Sequence, residues 1–70
     1  MRMTPIDSTA VARVGYDPAK RVLRVEYTNE RIYDYLNVPP QIYKQLLNAD
    51  SAGEFVNLGI KPNYAYSEVE

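Results

Sequence analysis

The stretch RIYDYLNVPP, residues 31–40, decides the fold that the sequence predicts. It begins as a strand-like segment in which two tyrosines, Tyr33 and Tyr35, are two residues apart, and it ends at a pair of prolines. Proline donates no hydrogen bond to a sheet ladder, and its fixed backbone angle suits the first turn of a helix. We therefore expect the strand to end by Val38 and a helix to begin at Pro40.

Two hairpins precede this stretch in the predicted fold. Small and apolar residues alternate over residues 10–16 and again, more clearly, over residues 22–27, a period of two that is typical of half-buried strands. Asp17–Lys20 has the composition of a type I turn, with Pro18 at its second position. Residues 28–31 read as a second tight turn. The three strands are thus predicted to form an antiparallel meander.

The length of the second turn sets which residues share a face of the predicted sheet. A two-residue loop places Tyr27 opposite Ile32. The same register places Arg24 opposite Tyr35, and the first hairpin places Arg13 opposite Arg24. The predicted core face then consists of Ala10, Ala12, Val14, Leu23, Val25, Tyr27, Ile32 and Leu36.

The reverse face of the predicted sheet is polar and aromatic. It carries Val11, Arg13, Arg24, Glu26, Tyr33 and Tyr35. A slip of one residue in the third strand would instead place both tyrosines in the core with Leu23 and Val25. Asp34 tests this choice, because the preferred register points its carboxylate to the core face, where a charge is unfavourable. Either Asp34 lies at a sheet edge near Arg31, or the slipped register is the correct one.

Two helices and a late strand are predicted after the prolines. The apolar residues of the first helix recur at intervals of three and four, which indicates one buried stripe. They are Ile42, Tyr43, Leu46 and Leu47. Ser51 and Glu54 match a capping box that opens a short second helix, which we expect to end near Gly59. Residues 63–66 could add an edge strand.

The predicted fold class is α+β, with a three-stranded antiparallel meander followed by a helix, a short second helix and a late edge strand. We expect one domain over residues 1–70. Residues 1–8 show no periodicity and are expected to be a loose lead-in, and residues 67–70 are expected to fray. A chain of 70 residues buries only about 60% of the surface that its unfolded form exposes, so every large apolar residue matters.

Composition argues against several classes of function. The sequence contains no histidine and no cysteine, and so lacks the usual general base and the soft metal ligands. We expect no catalysis, no metal site and no cofactor. No long apolar run predicts a membrane span, and we expect a cytoplasmic protein. The net charge is −1, with the basic residues concentrated in residues 1–31, so any attraction to nucleic acid must be local.

Several short motifs occur together in a fairly specific order and spacing. They are Gly15-Tyr16-Asp17, the alternating Leu23, Val25 and Tyr27, Tyr33-Asp34-Tyr35, Val38-Pro39, Tyr43, Leu46-Leu47-Asn48-Ala49, Ser51-Ala52-Gly53, Phe55-Val56-Asn57, Ile60 and Tyr64-Ala65-Tyr66. In these motifs nearly the whole chain resembles the KTSC domain, a module named for its occurrence at the C-terminus of some lysyl-tRNA synthetases and also found as a free-standing small protein. Glu30 stands where this family usually has glycine, and Val56 stands where aromatic residues commonly pair.

The resemblance implies RNA binding only through the attachment of the family to a synthetase. We predict a non-enzymatic binding module in which Tyr33 and Tyr35 stack on bases of single-stranded or tRNA-like RNA. Arg13 and Arg24 on the same face would contact phosphate. Two alternatives stay open: the tyrosines are structural rings with hydroxyls at the rim of the core, or the chain is a protein-interaction or self-association module.

Overall fold

The chain folds into an antiparallel sheet of five strands, with two helices on one of its faces. The computed structural model describes residues 1–70. The strands, which neighbour one another in chain order, are β1 (Met3–Pro5), β2 (Val11–Asp17), β3 (Val22–Tyr27), β4 (Ile32–Tyr35) and β5 (Tyr66–Val69). The helices are α1 (Pro40–Leu47) and α2 (Ala52–Phe55), and α2 continues into a π-helical segment, Val56–Ile60. The predicted α+β class is confirmed, with a meander of five strands instead of three.

Both edge strands differ from the prediction. Residues 1–8 are not a loose lead-in, because residues 3–5 pair with residues 13–15 of β2. The predicted strand at residues 63–66 lies further along the chain as β5, which includes most of residues 67–70, the segment expected to fray. A strand of three or four residues at an edge is too short to show a period, so alternation could not reveal either one.

The β3–β4 hairpin has a three-residue loop, and this makes the predicted register wrong by one residue. The Tyr27 N–H donates to the Arg31 carbonyl across 2.8 Å, which closes a loop of residues 28–30. Glu30 has a φ of 73°. A left-handed residue after a type I turn is the usual way to close a three-residue hairpin loop, whereas the prediction assumed two loop residues.

The changed register exchanges the two faces of β4. Tyr35 lies opposite Leu23, and both point to the helices. Tyr33 lies opposite Val25 on the same side. Ile32, predicted for the core face, points the other way. The slipped register is therefore the one that the protein adopts.

The β2–β3 hairpin also differs from the predicted pairing. Its connection has four residues, as expected, but consists of residues 18–21, one residue further along. Arg13 therefore lies opposite Glu26 and not opposite Arg24. An opposite charge takes the place of the predicted like-charge contact.

A β-bulge in β2 decides which of its residues enter the core. The pairing shifts between Val11 and Arg13, which leaves Ala12 as an extra residue. Val11 is consequently fully buried on the same side as Val14. Ala10, which the uninterrupted alternation predicts for the core, is exposed.

The hydrophobic core lies between the sheet and the helices. Its ten buried residues are Val11, Val14, Leu23, Val25, Tyr35, Val38, Leu46, Ala52, Val56 and Ile60. Helix α1 begins at Pro40, as predicted, and contributes Leu46 to the core. Leu36 and Leu47, both expected to be buried, are 38% and 42% exposed.

The N-cap of α2 is the one that the capping motif predicts. The Glu54 N–H donates to Ser51 Oγ across 3.2 Å. The helical run ends at Ile60, within one residue of the predicted end near Gly59, and its last turn is the π-helical segment. Neither helix has the length and apolar character needed to cross a membrane.

Candidate nucleic-acid interface

The four predicted binding residues do not share a face of the sheet. Tyr33 and Tyr35 lie on the side that the helices cover, and Arg13 and Arg24 lie on the opposite side. Tyr35 is only 2% exposed, so its ring has no free surface for a base. The binding face predicted from the sequence is therefore not formed, and any aromatic site must be built from other partners of Tyr33.

The open face of the sheet, which no helix covers, carries two ion pairs at its centre. Arg13 Nη2 lies 2.8 Å from Glu26 Oε2, and Arg24 Nε lies 2.7 Å from Asp34 Oδ1. The hydrogen bond to Asp34 is the main cause that raises the pKa of Arg24. Both arginines are thus neutralised within the sheet, and the carboxylate of Asp34 lies next to a cation and away from the core.

A cluster of four tyrosines replaces the predicted site. This tyrosine cluster consists of Tyr27, Tyr33, Tyr35 and Tyr66. The Tyr33 ring meets Tyr27 and Tyr66 nearly edge to face, with centroids 5.7 and 5.4 Å apart. Tyr66 reaches the cluster because β5 pairs with β4 and sets Tyr66 opposite Tyr35. Tyr66 is 62% exposed as a residue, which makes it the accessible end of the cluster.

The inner end of the tyrosine cluster is held by a hydrogen bond between two hydroxyls. Tyr27 Oη and Tyr35 Oη lie 2.6 Å apart. Burial is the main cause that raises the pKa of both tyrosines above the ordinary value. Both hydroxyls therefore stay protonated at neutral pH, and this pair is suited to structure and not to proton transfer.

Two cations border the tyrosine cluster, and neither takes part in a salt bridge. Lys61 Nζ lies 5.0 Å from the centroid of the Tyr27 ring, within the range of a cation–π contact. Arg31 is exposed, and the Tyr33 side chain beside it is the main cause that raises the pKa of its guanidinium. Glu68 adds to that effect and lies opposite Tyr33 on the same side of the sheet. Two cations and one carboxylate therefore surround the tyrosine cluster.

Two clefts open beside Tyr33. The small cleft holds about 240 Å³ and is lined by Tyr33, Tyr35, Lys61 and Tyr66. The large cleft holds about 590 Å³ and is lined by Thr9, Ala10, Tyr27, Thr28, Asn29, Arg31, Tyr33 and Lys61. The two clefts share Tyr33 and Lys61, so they adjoin, and no carboxylate lines either of them.

A third cleft lies among the helices and has the opposite character. It holds about 530 Å³, and its lining includes the carboxylates of Asp50 and Glu54 but no cation. An anionic ligand would be repelled there. No three or more carboxylates come together anywhere in the chain in a group that could hold a metal ion.

Arg31, Lys61 and Tyr66 border or belong to the tyrosine cluster but were not among the predicted site residues. Lys61 and Tyr66 are about thirty residues from β4 in sequence, and only the pairing of β5 brings Tyr66 beside Tyr35. One signal was present. The family that the sequence resembles usually has glycine at the position of Glu30, and glycine is typical of a left-handed backbone conformation. Glu30 does adopt that conformation. A left-handed residue at this point is typical of the three-residue loop, which turns Tyr33 toward the helices.

Comparisons with known proteins agree on one family. The family model of the KTSC domain matches residues 7–64. A KTSC domain protein from Yersinia pestis has a crystal structure that superposes with a TM-score of 0.95 at 28% identity, covering 99% of this chain and 97% of that one. A protein of Tsukamurella paurometabola is 42% identical over 62 residues, which is 89% of this chain and 92% of the relative. A lysine–tRNA ligase of Nostoc punctiforme is 25% identical over 63 residues, 90% of this chain but 11% of the ligase.

Proposed function

This chain belongs to the KTSC domain family, and on that premise we propose that it is a non-enzymatic module that binds single-stranded RNA at the tyrosine cluster. Tyr66 and Tyr33 stack on unpaired bases, and Lys61 and Arg31 contact phosphate. The observation that carries the proposal is Tyr66, a residue that is 62% exposed and lies beside Tyr33 in a cleft that Lys61 also lines. The similarity to lysine–tRNA ligases supports RNA as the class of ligand.

The aromatic contribution comes from Tyr66 and from the accessible part of Tyr33. Stacking of a base on an aromatic side chain contributes about 1–3 kcal/mol per base and tolerates any sequence, because every base has a π face. The ring of Tyr66 is held by its edge-to-face contact with Tyr33 and by the pairing of β5. A ring that is already held in place loses little conformational freedom when a base stacks on it.

The electrostatic contribution is local and modest. Lys61 and Arg31 are not paired with carboxylates across the clefts, whereas Arg13 and Arg24 are paired on the open face. Glu68 lies opposite Tyr33 and offsets part of the positive potential. With a net charge of −1 for the whole chain, we expect weak binding that depends on these two cations.

A protein-interaction module is the competing function, and one observation favours it. The open face is uncovered, and its ion pairs are internally neutralised. Half-buried aliphatic residues of this face, Val22, Ile32 and Val69, flank the ion pairs. Such a mixed, neutral surface resembles protein interfaces more than it resembles a phosphate-binding surface. If the chain is a protein-interaction module that uses this face, the tyrosine cluster is a structural extension of the core.

Fluorescence anisotropy with a labelled, short single-stranded RNA separates the two functions. Tyr66→Ala should weaken RNA binding at least about fivefold, the lower limit for loss of one stacked base. Leu47→Ala, which truncates another exposed apolar side chain away from the clefts, should leave the affinity unchanged. The same titration at several salt concentrations should give a slope of log affinity against log salt near −1.4 for two phosphate contacts, at about −0.7 each.

Charge variants supply the matched comparison. Lys61→Gln should weaken binding and make the salt slope shallower by about 0.7. Arg13→Gln removes the same charge from the open face and should change neither the affinity for RNA nor the salt slope. If Arg13→Gln is as damaging as Lys61→Gln, or if no RNA binds while light scattering after size exclusion detects a dimer, the RNA proposal is wrong and the interaction module takes its place.

A further inference from the structure

The two clefts beside Tyr33 differ in size and chemistry in a way that matches the two parts of a nucleotide. Tyr33 and Lys61 line both clefts, so a ligand that spans these two side chains would reach both. Three of the four residues that line the small cleft are tyrosines. The large cleft is lined mainly by polar and cationic side chains.

The volume of the small cleft limits what it can hold. Sites for drug-sized ligands usually measure roughly 300–1,000 Å³, and the small cleft holds about 240 Å³. Tyr35, whose hydroxyl is already bonded to Tyr27, contributes to its lining but is almost fully buried. A flat, mostly apolar ring system with polar edges fits such a space, whereas a complete nucleotide does not.

The large cleft presents hydrogen-bond donors and no carboxylate. The Asn29 side-chain oxygen accepts from the Arg31 N–H across 3.0 Å, which leaves the Asn29 amide nitrogen free to donate. The Arg31 guanidinium and the Lys61 ammonium make no salt bridge. Charged donors of this kind bind phosphate oxygens, and a guanidinium can do so with two hydrogen bonds. An anion is therefore the ligand that suits this cleft.

We infer that the site binds one nucleotide unit, with the base in the small cleft and its phosphate in the large cleft, and with Lys61 at the boundary between them. This inference rests on the proposed RNA binding and assigns the unit of recognition within it. The ligand class is a nucleoside monophosphate, free or as one residue of an RNA strand. Stacking on tyrosine makes the site tolerant of base identity, while the two cations make it sensitive to the phosphate.

NMR titration of the labelled chain with adenosine, adenosine monophosphate and inorganic phosphate tests the inference. Adenosine monophosphate should bind at least fivefold more tightly than adenosine, and it should shift the amide signals of Tyr66 and Asn29 together. Arg31→Gln should weaken binding of the monophosphate and so reduce the difference in affinity between it and adenosine, with Lys61 retaining the remainder. Arg21→Gln removes an exposed arginine from the β2–β3 turn and should have no effect.

The outcomes of this experiment and of the RNA titration are distinguishable. If adenosine and its monophosphate bind equally, or if Arg31→Gln leaves the monophosphate affinity unchanged while Tyr66→Ala weakens RNA binding, the two-cleft inference is overturned and the RNA proposal stands. If the monophosphate binds as described but the short RNA does not, the nucleotide site is supported and the RNA proposal fails. If neither ligand binds, both are overturned.

Discussion

Arg24 and Asp34 lie directly opposite each other on β3 and β4, joined by two parallel hydrogen bonds. Arg24 Nε donates to Oδ1 across 2.7 Å, and Nη2 donates to Oδ2 across 3.0 Å. A shift of one residue in the register would turn the carboxylate toward the core and leave the guanidinium without this partner. The ion pair therefore favours the register that places Tyr33 and Tyr35 beside the helices.

Removal of this ion pair should have a measurable but modest effect. We expect the Arg24–Asp34 coupling energy to be about 0.5–1 kcal/mol, the upper part of the range for partly exposed cross-strand pairs. A double-mutant cycle of Arg24→Ala and Asp34→Ala, read by urea unfolding, measures it. The pair of Arg13 and Glu26 is the control, and its coupling should be smaller because the Arg13 side chain is 51% exposed. Equal couplings would contradict this ranking.

Gly15→Ala should displace β1 or destabilise the fold. A Cβ atom at Gly15 would lie 2.6 Å from Met3 Sδ and 2.8 Å from the Arg2 carbonyl oxygen. The carbonyl belongs to the backbone and cannot rotate away, so we expect a loss of roughly 1–3 kcal/mol in the free energy of unfolding. Gly59→Ala, where the added Cβ would have no atom within 4 Å apart from its chain neighbours and the backbone of its own helical turns, should be neutral or slightly stabilising. A Gly15→Ala variant as stable as the parent would show that β1 is not packed as described.

Glu30→Gly should stabilise the β3–β4 hairpin. Glu30 has a φ of 73°, and the left-handed conformation costs an L-residue about 1–2 kcal/mol, which glycine avoids. Part of the gain is lost because glycine also gives the unfolded chain more freedom, so we expect a net gain of about 0.5–1 kcal/mol. Glu30→Ala keeps a Cβ atom and should bring no such gain. If alanine stabilises the protein as much as glycine, the charge of Glu30 and not its backbone is responsible.

Stability should fall in alkaline solution because of the hydroxyl pair in the tyrosine cluster. Burial is the main cause that raises the pKa of Tyr27 and of Tyr35 in the folded protein. Above about pH 10, the ordinary tyrosine pKa, the unfolded chain releases these protons while the folded chain retains them. The unfolded state then binds fewer protons, so the free energy of unfolding decreases as the pH rises.

Tyr27→Phe checks this assignment. The variant removes one of the two ionisable hydroxyls, so the decrease in stability between about pH 9 and 11 should be shallower than in the parent. At neutral pH the variant should be less stable, because the Tyr35 hydroxyl loses its partner. Urea unfolding across the pH range measures both effects. If the free energy of unfolding of the variant decreases with pH as steeply as that of the parent, other groups cause the alkaline loss of stability.

Much of the fold could be predicted because local chemistry determines it. Pro40 marks the start of α1, Ser51 caps α2, and the alternation over residues 22–27 identifies β3, since each depends on neighbouring residues alone. The pairing of strands depends on the conformation of single loop residues. One left-handed residue, Glu30, and one bulge at Ala12 changed which side chains are buried, and neither leaves a periodic signal.

The site was harder to predict for the same reason. Tyr33 is part of the observed cluster, but Tyr66 belongs to a strand of only four residues, and Lys61 lies at the end of the π-helical segment. Arg13 and Arg24 have the residue type expected of phosphate ligands, yet the register gives each a carboxylate opposite. A residue type in a sequence indicates what a side chain can do, and its neighbour across the sheet decides whether it is free to do so.

The position of Tyr35 couples the clefts to the thermodynamics of the whole domain. Tyr35 is a core residue that also contributes to the lining of the small cleft. A compound that fills this cleft binds only the native state, and at a free concentration of 100 times Kd it would add about 2.7 kcal/mol to the free energy of unfolding. In a domain of this size that corresponds to a rise in Tm on the order of 10 °C. A melting-temperature screen of metabolites could therefore identify the natural occupant without any prior assumption about it.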